Sequence, residues 1–277
     1  MGKVWFITGA SRGMGAQIAA AIVQRGDRLV ATARRKESLV NFVQSAGVLS
    51  LSLDVTNEEQ ASAAASKAVQ RFGEIDVLVN NAGYGLLGAI EETSSDEAKA
   101  IFNTNVFGLL NVTRAILPVM RKQGSGHIIN MSSLGGYQAS PGWGVYGSTK
   151  FAVEGITEAL YAELKPLGIH ATVIEPGFFR TDFLDASSLV HTKLEIDDYR
   201  DTVGKTRSFA GEHNHQQPGD PAKLAKALLE LVALPDPPVR LQLGSDAVKR
   251  IEQKNAFVHS ESQRWLSLST STDFNQD

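Results

Sequence analysis

Tyr146 and Lys150 stand four residues apart in Val145-Tyr146-Gly147-Ser148-Thr149-Lys150-Phe151. On a helix that spacing puts both side chains on one face, one turn apart. A free tyrosine ionises near pH 10, too high for easy proton exchange at neutrality. An adjacent ammonium favours the phenolate and lowers that value. Such a pair can give a proton to a substrate oxygen or take one from it. The same spacing also describes an ordinary exposed helix pair, so the chemistry needs a second signal.

That signal lies at the N-terminus. The apolar run Lys3-Val4-Trp5-Phe6-Ile7-Thr8 has strand character. It leads through Thr8-Gly9-Ala10-Ser11-Arg12-Gly13-Met14-Gly15 into the helical stretch Ala16 to Gln24. Strand, glycine-rich turn and helix start together make a phosphate cradle: glycine lets the backbone approach an anion, and the unpaired N–H groups of the helix terminus face it. Gly9, Ser11, Arg12, Gly13, Met14 and Gly15 are the residues of this cradle. The spacing is Gly-x-x-x-Gly-x-Gly, distinct from the generic dinucleotide fingerprint Gly-x-Gly-x-x-Gly.

Taken with the Tyr/Lys pair, this loop resembles the short-chain dehydrogenase/reductase family, and further motifs follow in order. Asn80-Asn81-Ala82-Gly83 comes after the strand Ile75 to Val79, and Asn105 lies in a helical run, Phe102 to Gly108. Ser133 ends the strand His127 to Ser132, thirteen positions before Tyr146, and Pro176-Gly177-Phe178-Phe179-Arg180-Thr181 follows the strand Ala171 to Glu175. The resemblance runs from Lys3 to about Thr181. It implies that Tyr146 exchanges the proton, Ser133 hydrogen-bonds the same substrate oxygen, Lys150 holds the nicotinamide ribose, and Asn105 holds a water beside Lys150. It also places Asp54-Val55 at the adenine, Asn80, Ala82 and Gly83 along the cofactor wall, and Pro176, Gly177, Phe179 and Thr181 at the nicotinamide. Asp54 keeps a second open role, as N-cap of the helix beginning near Thr56-Asn57-Glu58-Glu59. Ser132 is expected to point to the opposite side of its strand.

Charge argues for the form of the cofactor. An acid at the end of the second strand would bind the ribose hydroxyls of NAD(H) and repel a 2′-phosphate. In Arg28-Leu29-Val30-Ala31-Thr32-Ala33-Arg34-Arg35 that place is held by Ala33, with Arg34 next. Arg34 and Arg12 are expected to converge on a phosphate, which the planar, permanently charged guanidinium suits. NADP(H) is favoured over NAD(H), with Arg35 either assisting or pointing outward.

Apolar strand-like runs alternate with helical ones, which predicts a single α/β domain of the doubly wound Rossmann type. About seven parallel strands are expected, near 3–8, 28–33, 48–53, 75–80, 126–132, 170–175 and 239–243, with helices on both faces. The longest helices fall near Ser95–Lys122 and Gly144–Leu167. Residues 1–125 form the cofactor half and 126–265 the catalytic and substrate part, with a substrate loop at 182–218 and a loose tail at 267–277. Leu134, Tyr137, Trp143, Phe178, Phe179, Phe183 and Leu184 flank the motifs and favour a small hydrophobic ketone, aldehyde or alcohol. The runs Ser133 to Gly136 and Lys150 to Gly155 resemble those of 17β-hydroxysteroid and retinol dehydrogenases and of carbonyl reductases.

The 277 residues are 43% hydrophobic with a formal charge of −3, and the basic residues are scattered, which argues against a nucleic-acid surface. No run approaches the roughly 20 apolar residues of a membrane span, and a chain without cysteine or leader pattern is expected to be cytoplasmic. Ser133 lacks a Gly-x-Ser-x-Gly elbow, which excludes the usual serine hydrolase. His213 and His215 lie in a polar stretch that reads as surface, and no metal is expected. The family resemblance implies a homodimer or homotetramer, through the helices carrying Asn105 and Tyr146. Two rivals remain: an NADP(H)-sensing binding protein on the same fold, and an isomerase or dehydratase using the same pair.

Overall fold

The computed structural model describes residues 2–42 and 45–274. Among these residues nine strands run in chain order as β1 Val4–Ile7, β2 Arg28–Ala33, β3 Val48–Ser52, β4 Val77–Asn80, β5 Gly85–Leu87, β6 Gly126–Met131, β7 Ile169–Pro176, β8 Leu189–His191 and β9 Arg240–Leu243. The helices are α1 Gly13–Arg25, α2 Glu58–Phe72, α3 Ser95–Phe102, α4 Gly108–Gln123, α5 Gly144–Leu164, α6 Lys205–Glu212, α7 Pro221–Leu231, α8 Ser245–Arg264 and α9 Leu266–Thr270. Seven strands form one sheet, ordered β3-β2-β1-β4-β6-β7-β9 and parallel at every pairing. This is the Rossmann-type α/β fold.

Strand periodicity builds the two cores. In β1, Trp5 and Ile7 face one side and Val4 and Phe6 the other. Trp5 and Ile7 join Ile18, Ala19 and Ile22 of α1 with Leu224, Ala225 and Leu228 of α7. Val4 and Phe6 join Ala61, Ala64 and Ala68 of α2 with Val112 and Ile116 of α4 and Leu160 of α5. A strand buried on both faces reads as a continuous apolar run, which is why β1 was legible. From β1 the order runs outward through β2 on one side and β4 on the other, and the crevice at that divergence, above the strand C-termini, is where ligands of such sheets bind.

Three departures from the expected layout have local causes. The helix foreseen from Ser95 to Lys122 is interrupted at Asn103–Phe107 by a wide π turn, a distortion common at functional positions and invisible to apolar periodicity. The segment after β7 carries β8 and α6; β8 pairs with β5 in a separate two-stranded parallel ribbon, Gly85 opposite Leu189. Three-residue strands are too short to show a period. The N-cap of α2 is Asn57, whose side chain accepts from Gln60 N at 2.8 Å. Asp54 closes a tight turn instead, accepting from Thr56 N and Oγ1 at 3.0 and 2.8 Å. Residues 275–277 of the expected loose tail lie outside the described residues; the tail before them begins within the short, exposed α9.

Candidate active site

The cradle is built by β1 turning into α1. Gly9 and Gly13 adopt φ of +68° and +56°, which disfavour a side chain. A Cβ on Gly15 would stand 2.3 Å from the Gly9 carbonyl oxygen. Ala16 N–H is the first amide of α1 to bond back, to Arg12 O at 3.2 Å. The preceding amides of Gly13, Met14 and Gly15 have no backbone partner among the described residues, leaving the donors an anion needs. Thr8 Oγ1 accepts from Asn81 N and Ala82 N, both at 3.0 Å, and Asn81 Nδ2 donates to Thr8 O and Gly9 O at 3.0 Å each. Asn81 therefore ties the glycine turn to the end of β4, a positioning role that motif spacing did not single out. The cradle fits the pyrophosphate of a dinucleotide.

The other residues expected at the cofactor differ in their surroundings. Asn80 is buried, and its Nδ2 donates to Asn130 Oδ1 at 2.9 Å and Thr113 Oγ1 at 3.0 Å. Its side chain braces β4 against β6 and α4, which leaves the backbone as the part of Asn80 that can face the cofactor wall. Val55 is likewise buried, its carbonyl accepting from Asn111 Nδ2 at 3.0 Å. Gly83 lies against Asn105 and Lys150: a Cβ there would come within 3.0 Å of Asn105 Oδ1 and 3.8 Å of Lys150 Nζ. Arg34 is exposed at the end of β2 and makes no ion pair among the described residues. Arg12 departs from the expected convergence, because its guanidinium donates to the Ser187 carbonyl in the segment after β7.

Ser133 follows β6 in extended conformation, and its Oγ accepts from Gly135 N at 3.1 Å. Tyr146 and Lys150 lie on α5, and both are buried. Lys150 Nζ donates to Met131 O at 2.9 Å and lies 5.8 Å from the Tyr146 ring centroid. Burial outweighs every other influence on the phenol and pushes it up to about 12, the Ser133 hydroxyl opposing. Burial also pulls Lys150 down to about 8, with Glu154 opposing. The expected lowering of Tyr146 by Lys150 is therefore overturned here: desolvation dominates once the ring is enclosed. Asn105, in the π turn, accepts from Tyr84 N at 3.1 Å and donates to Tyr84 O at 3.0 Å and Thr149 Oγ1 at 3.2 Å.

Beneath Lys150, a polar cluster appears that the sequence reading did not find. Glu154, one turn on, is buried and meets Glu175 of β7, which is fully enclosed. Arg240 Nε of β9 lies 3.3 Å from Glu154 and 3.8 Å from Glu175, and its Nη2 is 3.0 Å from Glu158. Gln242 Nε2 donates to Glu175. Glu154 and Glu175 are close enough to perturb one another, yet Glu154 Oε1, Glu175 Oε1 and Ser132 Oγ reach no contact of hydrogen-bond geometry. Burial raises both carboxyls above their usual range, and a proton on either would supply the missing donor.

Ser133 and Tyr146 open onto a cleft of about 800 Å³, counting its open mouth. Met14, Pro176, Gly177, Phe179 and Thr181 are among its lining residues, and Leu134, Trp143, Phe178, Phe183 and Leu184 supply apolar walls. Trp143, Tyr146 and Phe183 form an aromatic trio with centroids 5.6, 5.7 and 6.3 Å apart. Tyr137 does not line this cleft; its hydroxyl donates to Asn255 Oδ1 of α8 at 2.5 Å, fastening α8 beside the site. His213 stacks on Phe209 at 4.0 Å, while His215 pairs with Asp185 at 3.3 Å near Asp182.

A family-wide sequence profile described as short chain dehydrogenase matches residues 3–189. The oxidoreductase BOA17 of Botryotinia fuckeliana is 39% identical over 272 residues, covering 97% of this chain and 98% of that protein. A 3-ketodihydrosphingosine reductase from Bacteroides thetaiotaomicron is 36% identical over 242 residues, 87% of this chain and 88% of its own. The crystal structure of a short-chain dehydrogenase from Streptomyces avermitilis superimposes with a TM-score of 0.90 at 40% identity, covering 98% of this chain and all of that one. Other solved structures of this fold hold NADP or, in one case, NAD.

Proposed function

The chain belongs to the short-chain dehydrogenase family of oxidoreductases, and from that premise we propose that it is an NADP(H)-dependent reductase of a hydrophobic ketone or aldehyde, or the corresponding alcohol dehydrogenase. The observation that carries this reading is that Ser133 and Tyr146 line one mostly apolar cleft together with Met14, Gly177 and Thr181. The cofactor, when bound, supplies or receives the hydride. Ser133 Oγ hydrogen-bonds the carbonyl oxygen and fixes it. Tyr146 gives that oxygen its proton, and takes it back in the oxidative direction. Lys150 holds the nicotinamide ribose, and Asn105 orders the turn facing Gly83 and Lys150. Pro176, Gly177, Phe179 and Thr181 bound the nicotinamide, with Gly9, Ser11, Gly13, Met14 and Gly15 at the pyrophosphate, Ala82 and Gly83 along the ribose, and Asp54 and Val55 at the adenine. Ala33 followed by the free Arg34 supports NADP(H) over NAD(H).

The relative that reduces 3-ketodihydrosphingosine supports a ketone on an apolar body as the substrate type. The described residues contain no helix long and apolar enough to cross a membrane; a cytoplasmic homodimer or homotetramer is part of the proposal. The test is NADPH oxidation, followed by absorbance, across hydrophobic ketones and aldehydes. Turnover with NADPH, weaker with NADH, and at least a 100-fold loss (order of magnitude) in Tyr146→Phe with NADPH binding retained, is the expected result. NADPH binding with no carbonyl reduced would overturn it.

A further inference from the structure

The cleft beside Tyr146 is not apolar throughout. Three polar side chains reach it from separate parts of the chain: Gln138 after β6, Gln217 ahead of α7, and Arg250 from α8. Gln217 is 4% exposed, and the Oε1 atoms of both glutamines are buried without a partner. Those oxygens are closed off from solvent and offer nothing to a ligand, and neither amide nitrogen makes a hydrogen bond among the described residues, which leaves the NH₂ of each as the group a ligand can engage. Arg250 is half-buried and forms no ion pair among the described residues. The carboxylate one turn before it, Asp246, is engaged by Phe178 N at 2.7 Å. The Tyr137–Asn255 bond holds α8 where Arg250 reaches the cleft.

All three groups offer donors, and away from them and from the hydroxyls of Ser132, Ser133, Ser140, Tyr146 and Thr181 the wall is apolar and aromatic. A ligand that satisfies both has an apolar body and one concentrated acceptor. A dianionic phosphate would leave charge uncompensated against a single cation, whereas a carboxylate matches the guanidinium fork in charge and shape. Resting on the carbonyl-reductase reading, we propose that the substrate is an oxo acid: a ketone or aldehyde at Ser133 and Tyr146, an apolar body along the aromatic wall, and a remote carboxylate held by Arg250 with Gln138 and Gln217.

The test uses the full-length protein with NADPH and aryl oxo acids of increasing chain length, each compared with its methyl ester. The free acid is expected to exceed its ester in kcat/KM by roughly tenfold to a hundredfold at the fitting length, mainly through KM. Arg250→Gln should bring that ratio close to parity, Arg250→Lys should restore part of it, and Lys249→Gln, on the exposed side of α8, should leave it unchanged. Esters equal to or better than acids at every length, or a ratio indifferent to Arg250→Gln, would overturn the proposal. Calorimetry with phenylbutyrate and its amide, neither of which has a reducible ketone or aldehyde, separates this failure from that of the reductase reading. Arg250-dependent preference for the acid supports the carboxylate subsite even if no carbonyl is turned over; equal binding of acid and amide removes it.

Discussion

Tyr146 shows how far a residue's chemistry depends on what encloses it. Spacing placed an ammonium one turn away, yet the ring is buried, and desolvation pushes the phenol up to about 12. A phenol that stays protonated through the neutral range suits proton donation. Reduction is therefore expected to have a flat kcat there, while oxidation, which needs tyrosinate, should rise with pH across the same range. Steady-state pH profiles in both directions check this; an oxidation rate that plateaus below neutrality would contradict it. Arg34 carries the cofactor prediction at the same scale. Removing its charge in Arg34→Ala should raise KM for NADPH by about tenfold or more and leave that for NADH little changed. Equal effects on both would move the 2′-phosphate elsewhere.

At the level of elements, α5, β7 and β9 bring Glu154, Glu175 and Arg240 together under Lys150. None of the three is close to another in sequence, and the apolar periodicity of β7 gave no warning that Glu175 is completely enclosed. Burial raises Glu154 from 4.5 to about 7, and Glu175 follows in direction. A carboxyl raised on folding binds its proton more tightly in the native state. Its stabilising contribution is complete below the unfolded value and is lost as pH rises through the folded one. Thermal midpoints should therefore carry a destabilising component between about pH 4.5 and pH 7. Glu154→Gln, which keeps the shape and supplies a permanent donor, should flatten that slope and raise the midpoint above pH 7. Carboxyls that ionise freely would leave wild type and variant with the same slope. The groups facing Glu154 are Lys150 and Glu158 on α5, Ser132 after β6, Glu175 on β7 and Arg240 on β9.

The whole molecule presents a further surface. Phe107, at the end of the π turn, and Phe151, beside Lys150 on α5, are 54% and 45% exposed. Large aromatic groups left in water on the helices that carry Asn105 and Tyr146 fit the proposed contact with a second copy. Light scattering is expected to give a dimer or tetramer for the native chain and smaller species for the Phe107→Lys, Phe151→Lys double variant. A native chain that runs as a monomer at micromolar concentration would end the proposal.

By itself, the sequence determined the class of fold and the identity of the chemical groups. Fully buried strands such as β1 and β4 announce themselves as short apolar runs, and the glycine turn and the Tyr146/Lys150 spacing are local constraints written in consecutive residues. What only the tertiary structure decided depends on contacts between distant segments. Asn80 braces strands, Arg12 turns to Ser187, Tyr137 fastens α8, Asn57 displaces Asp54 as cap, and three-residue β5 and β8 find each other although their register partners, Gly85 with Leu189 through Leu87 with His191, lie 104 residues apart. The direction of the Tyr146 shift belongs to the same class. Spacing says which groups are neighbours, but desolvation is set by everything else packed around them, and that sum exists only in the folded chain.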